Sequence, residues 1–109
     1  MDIKIPLEDV SLDSVFEKYE AKFKALADKK RLHIMNILTI NGSMCVCDIE
    51  PIIGMTQSKL SYHLKILLDA GLIEKETKGT WSYYQVNQKE LNALLSEQLC
   101  CIFKPPGCC

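Results

Sequence analysis

The stretch Gln57-Ser58-Lys59-Leu60-Ser61-Tyr62-His63-Leu64-Lys65-Ile66-Leu67-Leu68-Asp69-Ala70-Gly71 carries the strongest periodic signal in the chain. Leu60, Leu64, Leu67, Leu68 and Gly71 fall on one face at helical spacing, Thr56 stands ahead as an N-cap, and Ala70-Gly71 supplies the stop. Ser58, Ser61, Tyr62, Lys65 and Asp69 project from the opposite side, with Gln57 at the exposed N-terminal end. His63 projects nearer the leucines, a position where packing or hydrogen bonding is the ordinary role.

Immediately downstream, Leu72 to Thr77 and Thr80 to Val86 are β-prone runs joined by Lys78-Gly79, where glycine supplies the positive φ of a tight hairpin. Asn87 and Glu90 then have capping-box spacing, and Leu91, Leu94, Leu95, Leu99 and Ile102 mark a last helix that Pro105-Pro106-Gly107 stops. Upstream, Cys45 to Ile53 reads as a short helix, interrupted by Pro51 unless that proline lies in its first turn. Before it, Asp28 caps a helix whose buried face is Leu32, Ile34, Met35, Ile37 and Leu38, ending at Asn41-Gly42. Asp13 to Ala27, with Phe16, Tyr19, Phe23 and Leu26 at helical spacing, is the first helix.

Four helices, a hairpin and a final helix, with a short helix and a capped amphipathic helix separated by Gly54-Met55-Thr56, describe a mainly α winged helix-turn-helix fold with a small β-hairpin. The domain spans residues 13–103, between an N-terminal extension of residues 1–12 and a cysteine-bearing tail of residues 104–109 expected to be flexible. In this fold the polar face of Gln57 to Ala70 suits a DNA major groove. Gln57 can pair with adenine edges, Ser58 and Ser61 with bases or phosphates, and Lys65 neutralises a backbone charge. Tyr62, His63, Lys59, and Lys75 and Lys78 of the hairpin complete the candidate DNA contacts. The partner implied is double-stranded DNA.

Composition sets outer bounds. With 109 residues, 48% of them hydrophobic, one modest core is affordable, and apolar helices at both ends would gain cover from a second copy. A formal net charge of −1 argues mildly against nucleic acid. Its distribution argues the other way, because acidic residues crowd the first twenty positions while Lys59, Lys65, Lys75 and Lys78 share one central stretch. Met1 to Ser14 lacks the features of a secretory signal, and no apolar run approaches the roughly 20 residues that span a bilayer. A cytoplasmic, non-membrane protein is expected. There, six cysteines in pairs point to soft-ion ligands or redox sensors rather than structural disulfides. Cys45-Val46-Cys47 lacks both a thioredoxin-like βαβ context and a catalytic histidine pattern, so no enzyme is expected.

The run from Gln57 to Ile73 resembles the recognition-helix signature of the ArsR/SmtB repressors. Phe23-Lys24-Ala25-Leu26-Ala27-Asp28 with Arg31-Leu32 is similar to that family's second-helix start, Cys45-Val46-Cys47-Asp48-Ile49 to its metal box, and Lys78-Gly79 with Tyr83-Tyr84 to its wing. The resemblance covers about residues 15–103 and is closest to the arsenic-responsive members. It implies a homodimer joined through the first and last helices, an inverted-repeat operator, and repression of a detoxification operon. Two positions depart from the pattern. Lys29 stands where many members carry proline, and Glu50 where some arsenic-responsive members have a third cysteine.

The resemblance also frames the sensing chemistry. DNA binding needs no cofactor, and the inducer expected is As(III) or Sb(III), soft ions suited to thiolates. Cys45 and Cys47 are the favoured ligands, because they open the helix just before the recognition helix. Inside a regular helix, residues two apart project about 200° from one another, so a shared ion would require the first turn to unwind. Cys100, Cys101, Cys108 and Cys109 form the alternative or contributing cluster. A Cd-, Pb- or Zn-responsive repressor, or a thiol-redox-responsive one, is the alternative function on the same fold.

Overall fold

A computed structural model describes residues 6–95, with side chains from residue 12 onward. Along the chain run α1 (Pro6–Leu26), α2 (Lys29–Asn41), β1 (Met44–Cys45), α3 (Val46–Ile53), α4 (Gln57–Asp69), β2 (Ile73–Lys78), β3 (Trp81–Val86) and α5 (Gln88–Leu94). Leu99, Ile102, the tail of residues 104–109 and Cys100, Cys101, Cys108 and Cys109 lie outside the described residues.

The expected capping chemistry is what bounds the helices. Asp28 accepts from the backbone N–H groups of Lys30 and Arg31, Thr56 from that of Lys59, and Asn87 from that of Glu90. At the end of α4 the Leu72 N–H donates to the Leu67 carbonyl and the Gly71 N–H to that of Leu68, with Gly71 at φ +80°. That is a Schellman stop, and buried Leu67 and Leu72 provide its apolar contact.

Several boundaries differ from expectation. Helix α1 starts at Pro6 rather than Asp13, with proline in the first helical position, where its missing N–H costs nothing. Helix α3 runs through Pro51, which stands past the first turn and removes only the donor that would have met the Cys47 carbonyl. The hairpin loop is Gly79-Thr80, one residue later than read, because Lys78 pairs with Trp81. Positive φ at Gly79 alone among the two loop residues fits a type II′ turn.

The sheet has a third strand. Met44 and Cys45 pair antiparallel with Tyr84 and Tyr83, giving the order β1-β3-β2. The core gathers Ile34, Leu38, Ile49, Leu60, Leu64, Leu67, Leu72, Ile73 and Leu94, all essentially inaccessible, so α2, α3, α4 and α5 converge on the root of the hairpin. Leu32, expected on the buried face of α2, is instead 53% exposed. Leu12 and Phe16 on α1 and Leu95 after α5 are likewise 49%, 46% and 69% exposed. No described helix is long and apolar enough to cross a membrane.

Candidate nucleic-acid interface and thiol site

Helix α4 stands on its leucines. Leu60, Leu64 and Leu67 anchor it in the core, which leaves Gln57, Ser58, Lys59, Ser61, Tyr62 and Lys65 exposed along one side. Lys65 is ion-paired to Asp69 across one turn at 3.2 Å, an exposed contact that a phosphate can displace. From the hairpin, Lys75 and Lys78 are also exposed, and the Lys78 ammonium lies 5.2 Å from the Tyr83 ring centroid. Every candidate DNA contact except one is thus exposed, on α4 or on β2.

His63 is the exception. It is only 9% exposed, and the Arg31 guanidinium donates to its Nδ1 at 3.0 Å. Burial holds its pKa below the ordinary histidine value; Asp28 opposes that shift, while Arg31, Lys30 and Lys59 add to it. A neutral ring accepting from Arg31 faces away from the exposed side of α4, which corrects its place among the DNA contacts. The reason is geometric, since position 63 shares the leucine side of the helix. Arg31 also donates through Nε to the Ala25 carbonyl at 2.6 Å and through Nη2 to that of Lys24 at 3.4 Å. It satisfies the open end of α1 while holding the recognition helix through His63. Asp28, below its usual pKa chiefly because it accepts from the Arg31 N–H, completes this cluster 3.9 Å from the guanidinium.

The cysteine pair has an arrangement that periodicity alone does not give. Cys45 is the N-cap of α3, extended at φ −87° and ψ 166°, and Cys47 lies in the first turn. The 200° separation expected within a regular helix therefore does not apply, and the sulfurs meet without unwinding it. In the structure they are joined as a disulfide, with Cα atoms 5.3 Å apart, where free thiols were expected. Asp48 brings a carboxylate oxygen so close that the three donor atoms lie within 4.8 Å of one another. It also accepts from the Cys45 N–H at 3.3 Å. Cys45 is buried and Cys47 exposed.

Both cysteines line an open cleft with Glu50 of α3, Gln57 and Ser61 of α4, and Trp81 and Tyr84 of β3. The thiol pair and the N-terminal end of the recognition helix thus share one space. Arg31 and Asp48 stood in the sequence only within family-like segments, with no role of their own, and spacing did not reveal this cleft. The signal available for Asp48 was its position three residues after an N-cap.

Comparison with known proteins agrees with the geometry. The profile described as "Bacterial regulatory protein, arsR family" matches residues 28–75, from the cap of α2 into β2. The chain is 62% identical over 104 residues to the arsenical resistance operon repressor of Bacillus subtilis strain 168, covering 93% of this chain and 99% of that protein. A cadmium resistance regulatory protein homolog from Staphylococcus aureus is 32% identical over 75 residues, covering 69% of this chain and 62% of its own length. The solution structure of a homodimeric winged helix-turn-helix domain from Mycobacterium bovis superposes with a TM-score of 0.70 at 26% identity, covering 93% of this chain and 90% of that one. With a family match that runs from the cap of α2 through α4 into β2, and a relative that spans nearly its whole length, this chain belongs to the arsR family of bacterial regulatory proteins.

Proposed function

We propose that this chain is the repressor of an arsenic-resistance operon, a homodimer that leaves its operator when Cys45 and Cys47 capture As(III) or Sb(III). Gln57, Ser58, Lys59, Ser61, Tyr62 and Lys65 of α4, with Lys75 and Lys78 of the wing, would hold an inverted-repeat duplex. The carrying observation is the shared cleft, in which the two sulfurs converge beside Gln57 and Ser61. The name of the Bacillus subtilis relative, an arsenical resistance operon repressor, supports arsenic as the inducer. Exposed Leu12, Phe16 and Leu95 support pairing through the first and last helices, as does the homodimeric Mycobacterium bovis domain.

The donor chemistry fits a soft ion. Reduction of the Cys45–Cys47 bond leaves two thiols in reach of one centre, and thiolates are the ligands soft ions select. With Cys45 and Cys47 as its holders, such an ion would need the two sulfurs farther apart than their bond now keeps them. Cys45 cannot move alone, since it caps α3 and pairs with Tyr83 of the wing strand. Any shift of its backbone is passed to the helix that supports α4 and to the strand that supports the wing. Release requires only that the ion bind this shifted state more tightly than the DNA-competent one.

The test measures fluorescence anisotropy of an operator duplex with reduced protein during As(III) titration. It compares the wild type, Cys45→Ser/Cys47→Ser, and a chain truncated after Phe103. The expected result is release of the wild type and the truncated chain, with the double variant retained on DNA. A double variant that releases normally while the truncated chain stays bound would assign sensing to the C-terminal cysteines instead. The disulfide in the structure favours a second reading, in which oxidation of this pair is itself the signal. Adding a thiol oxidant in place of As(III) distinguishes it.

A further inference from the structure

Helix α1 buries a lysine. Lys22 is 3% exposed, and its ammonium donates to the Ala70 carbonyl at 2.5 Å and pairs with Glu90 of α5 at 3.2 Å. The Ala70 carbonyl belongs to the C-cap of α4, the negative end of the recognition helix. Glu90 is drawn below its usual pKa, first by its bond to Lys22 and then by Lys18, whose ammonium is 3.8 Å away. Glycine at 71 eases the approach of the ammonium: a Cβ there would stand 3.0 Å from Nζ, closer than ordinary contact. One cation therefore joins three helices that are far apart in sequence.

Such a link is a poor way to gain stability, because desolvating a lysine offsets most of what its pairing returns, and an apolar side chain of similar length would serve the core as well. Its better-supported use is to fix one geometry among several that hydrophobic packing tolerates. We infer that Lys22 is a positioning residue for operator recognition: it ties the C-terminus of α4 to α1 and α5 and so sets the distance between the two recognition helices of a dimer. This rests on the dimer arrangement proposed above. In a two-fold dimer joined through α1 and the last helix, any freedom of α4 relative to those helices becomes freedom in half-site spacing.

The experiment uses the full chain, reduced, as wild type, Lys22→Met and Glu90→Gln. Met keeps the apolar stem without the charge, and Gln keeps the size and shape of Glu90 while weakening the α5 half of the link. Sedimentation and circular dichroism report assembly and fold. Anisotropy is read on the operator and on operators with the half-sites moved apart or together by one and two base pairs. The expected variants are folded dimers whose preference for the native spacing falls by about tenfold, the scale of one charge-assisted hydrogen bond. A purely structural role would lower the melting temperature and leave the spacing profile unchanged. If Lys22→Met does not fold, the spacing profile of Glu90→Gln decides. Dimeric variants that keep the wild-type spacing preference overturn this inference alone, whereas a wild-type chain that sediments as a monomer overturns the dimer reading and this inference with it.

Discussion

Replacing Gly71 with alanine tests how the recognition helix is ended. Among the described residues four glycines have positive φ, and at Gly42, Gly54 and Gly79 an added Cβ would meet nothing within 4 Å. At Gly71, φ is +80° and the Cβ would stand 3.0 Å from the Lys22 ammonium. Gly54, at φ +72°, is thus a matched control for backbone strain without a neighbour. An L-residue in this left-handed region costs about 1–2 kcal/mol. Alanine also restricts the unfolded chain, which returns roughly 0.4–1 kcal/mol, so Gly54→Ala should destabilise by about 1 kcal/mol. Gly71→Ala bears the same strain and in addition crowds the ammonium, which must give by a few tenths of an ångström and so loosens its bond to the Ala70 carbonyl, a hydrogen bond from a charged group worth about 1.5–3 kcal/mol when whole. Because the Lys22 stem is flexible only part of that is lost, leaving an excess over Gly54→Ala of about 0.5–1 kcal/mol. Urea denaturation of both variants at one fixed protein concentration measures it, since the apparent stability of a dimer depends on concentration. Equal losses for Gly71→Ala and Gly54→Ala would refute the claim that Lys22 occupies the space glycine leaves.

Three further outcomes are expected. His63 has a folded pKa below the ordinary value of 6.5, so its contribution to stability is complete above about pH 6.5 and is lost as pH falls through the lower folded value. His63→Gln should flatten that acid-side slope of stability; a slope identical to the wild type would mean the ring does not titrate as a buried acceptor of Arg31. Gln57→Ala should relax preference at one or two base positions by about 1–3 kcal/mol, whereas Lys65→Ala should weaken all duplexes alike and make binding less salt-dependent. Unchanged binding by both would remove α4 from the interface. Leu95→Lys, placing a charge at a 69% exposed apolar position, should sediment as a folded monomer, and a dimer at micromolar concentration would exclude Leu95 from the interface.

The legible parts of this fold are those in which the signal is local. Leucine spacing, Thr56 and Ala70-Gly71 gave α4 its face and its stop, and the exposed side of that helix follows from the same periodicity. The hairpin was visible because glycine is needed at its turn, although the loop slipped by one residue. Strand β1 was not visible, because two residues carry no alternation and pair only with a strand nearly forty positions away. The bonding of Lys22 and Arg31 was not visible either, since their partners Ala70, Glu90 and His63 come from other helices. The cysteine pair was found by residue type. Its geometry was misjudged because the helix begins one residue later than its first cysteine.

Strand β1 is only two residues long, yet it occupies the side of β3 that β2 leaves free. Among the described residues the outer side of β2 is then the long unpaired border of the sheet, and unpaired borders invite strands from other molecules. Glu74, Lys75, Glu76 and Lys78 line that strand, all exposed and of mixed sign. Charges on such a strand oppose edge-to-edge polymerisation, because a second molecule docking there must desolvate them. Lys75 and Lys78, proposed here as DNA contacts, would thus also oppose pairing along this edge when no DNA is bound. Substitutions that neutralise them to probe the operator should be checked for aggregation before any loss of binding is credited to DNA.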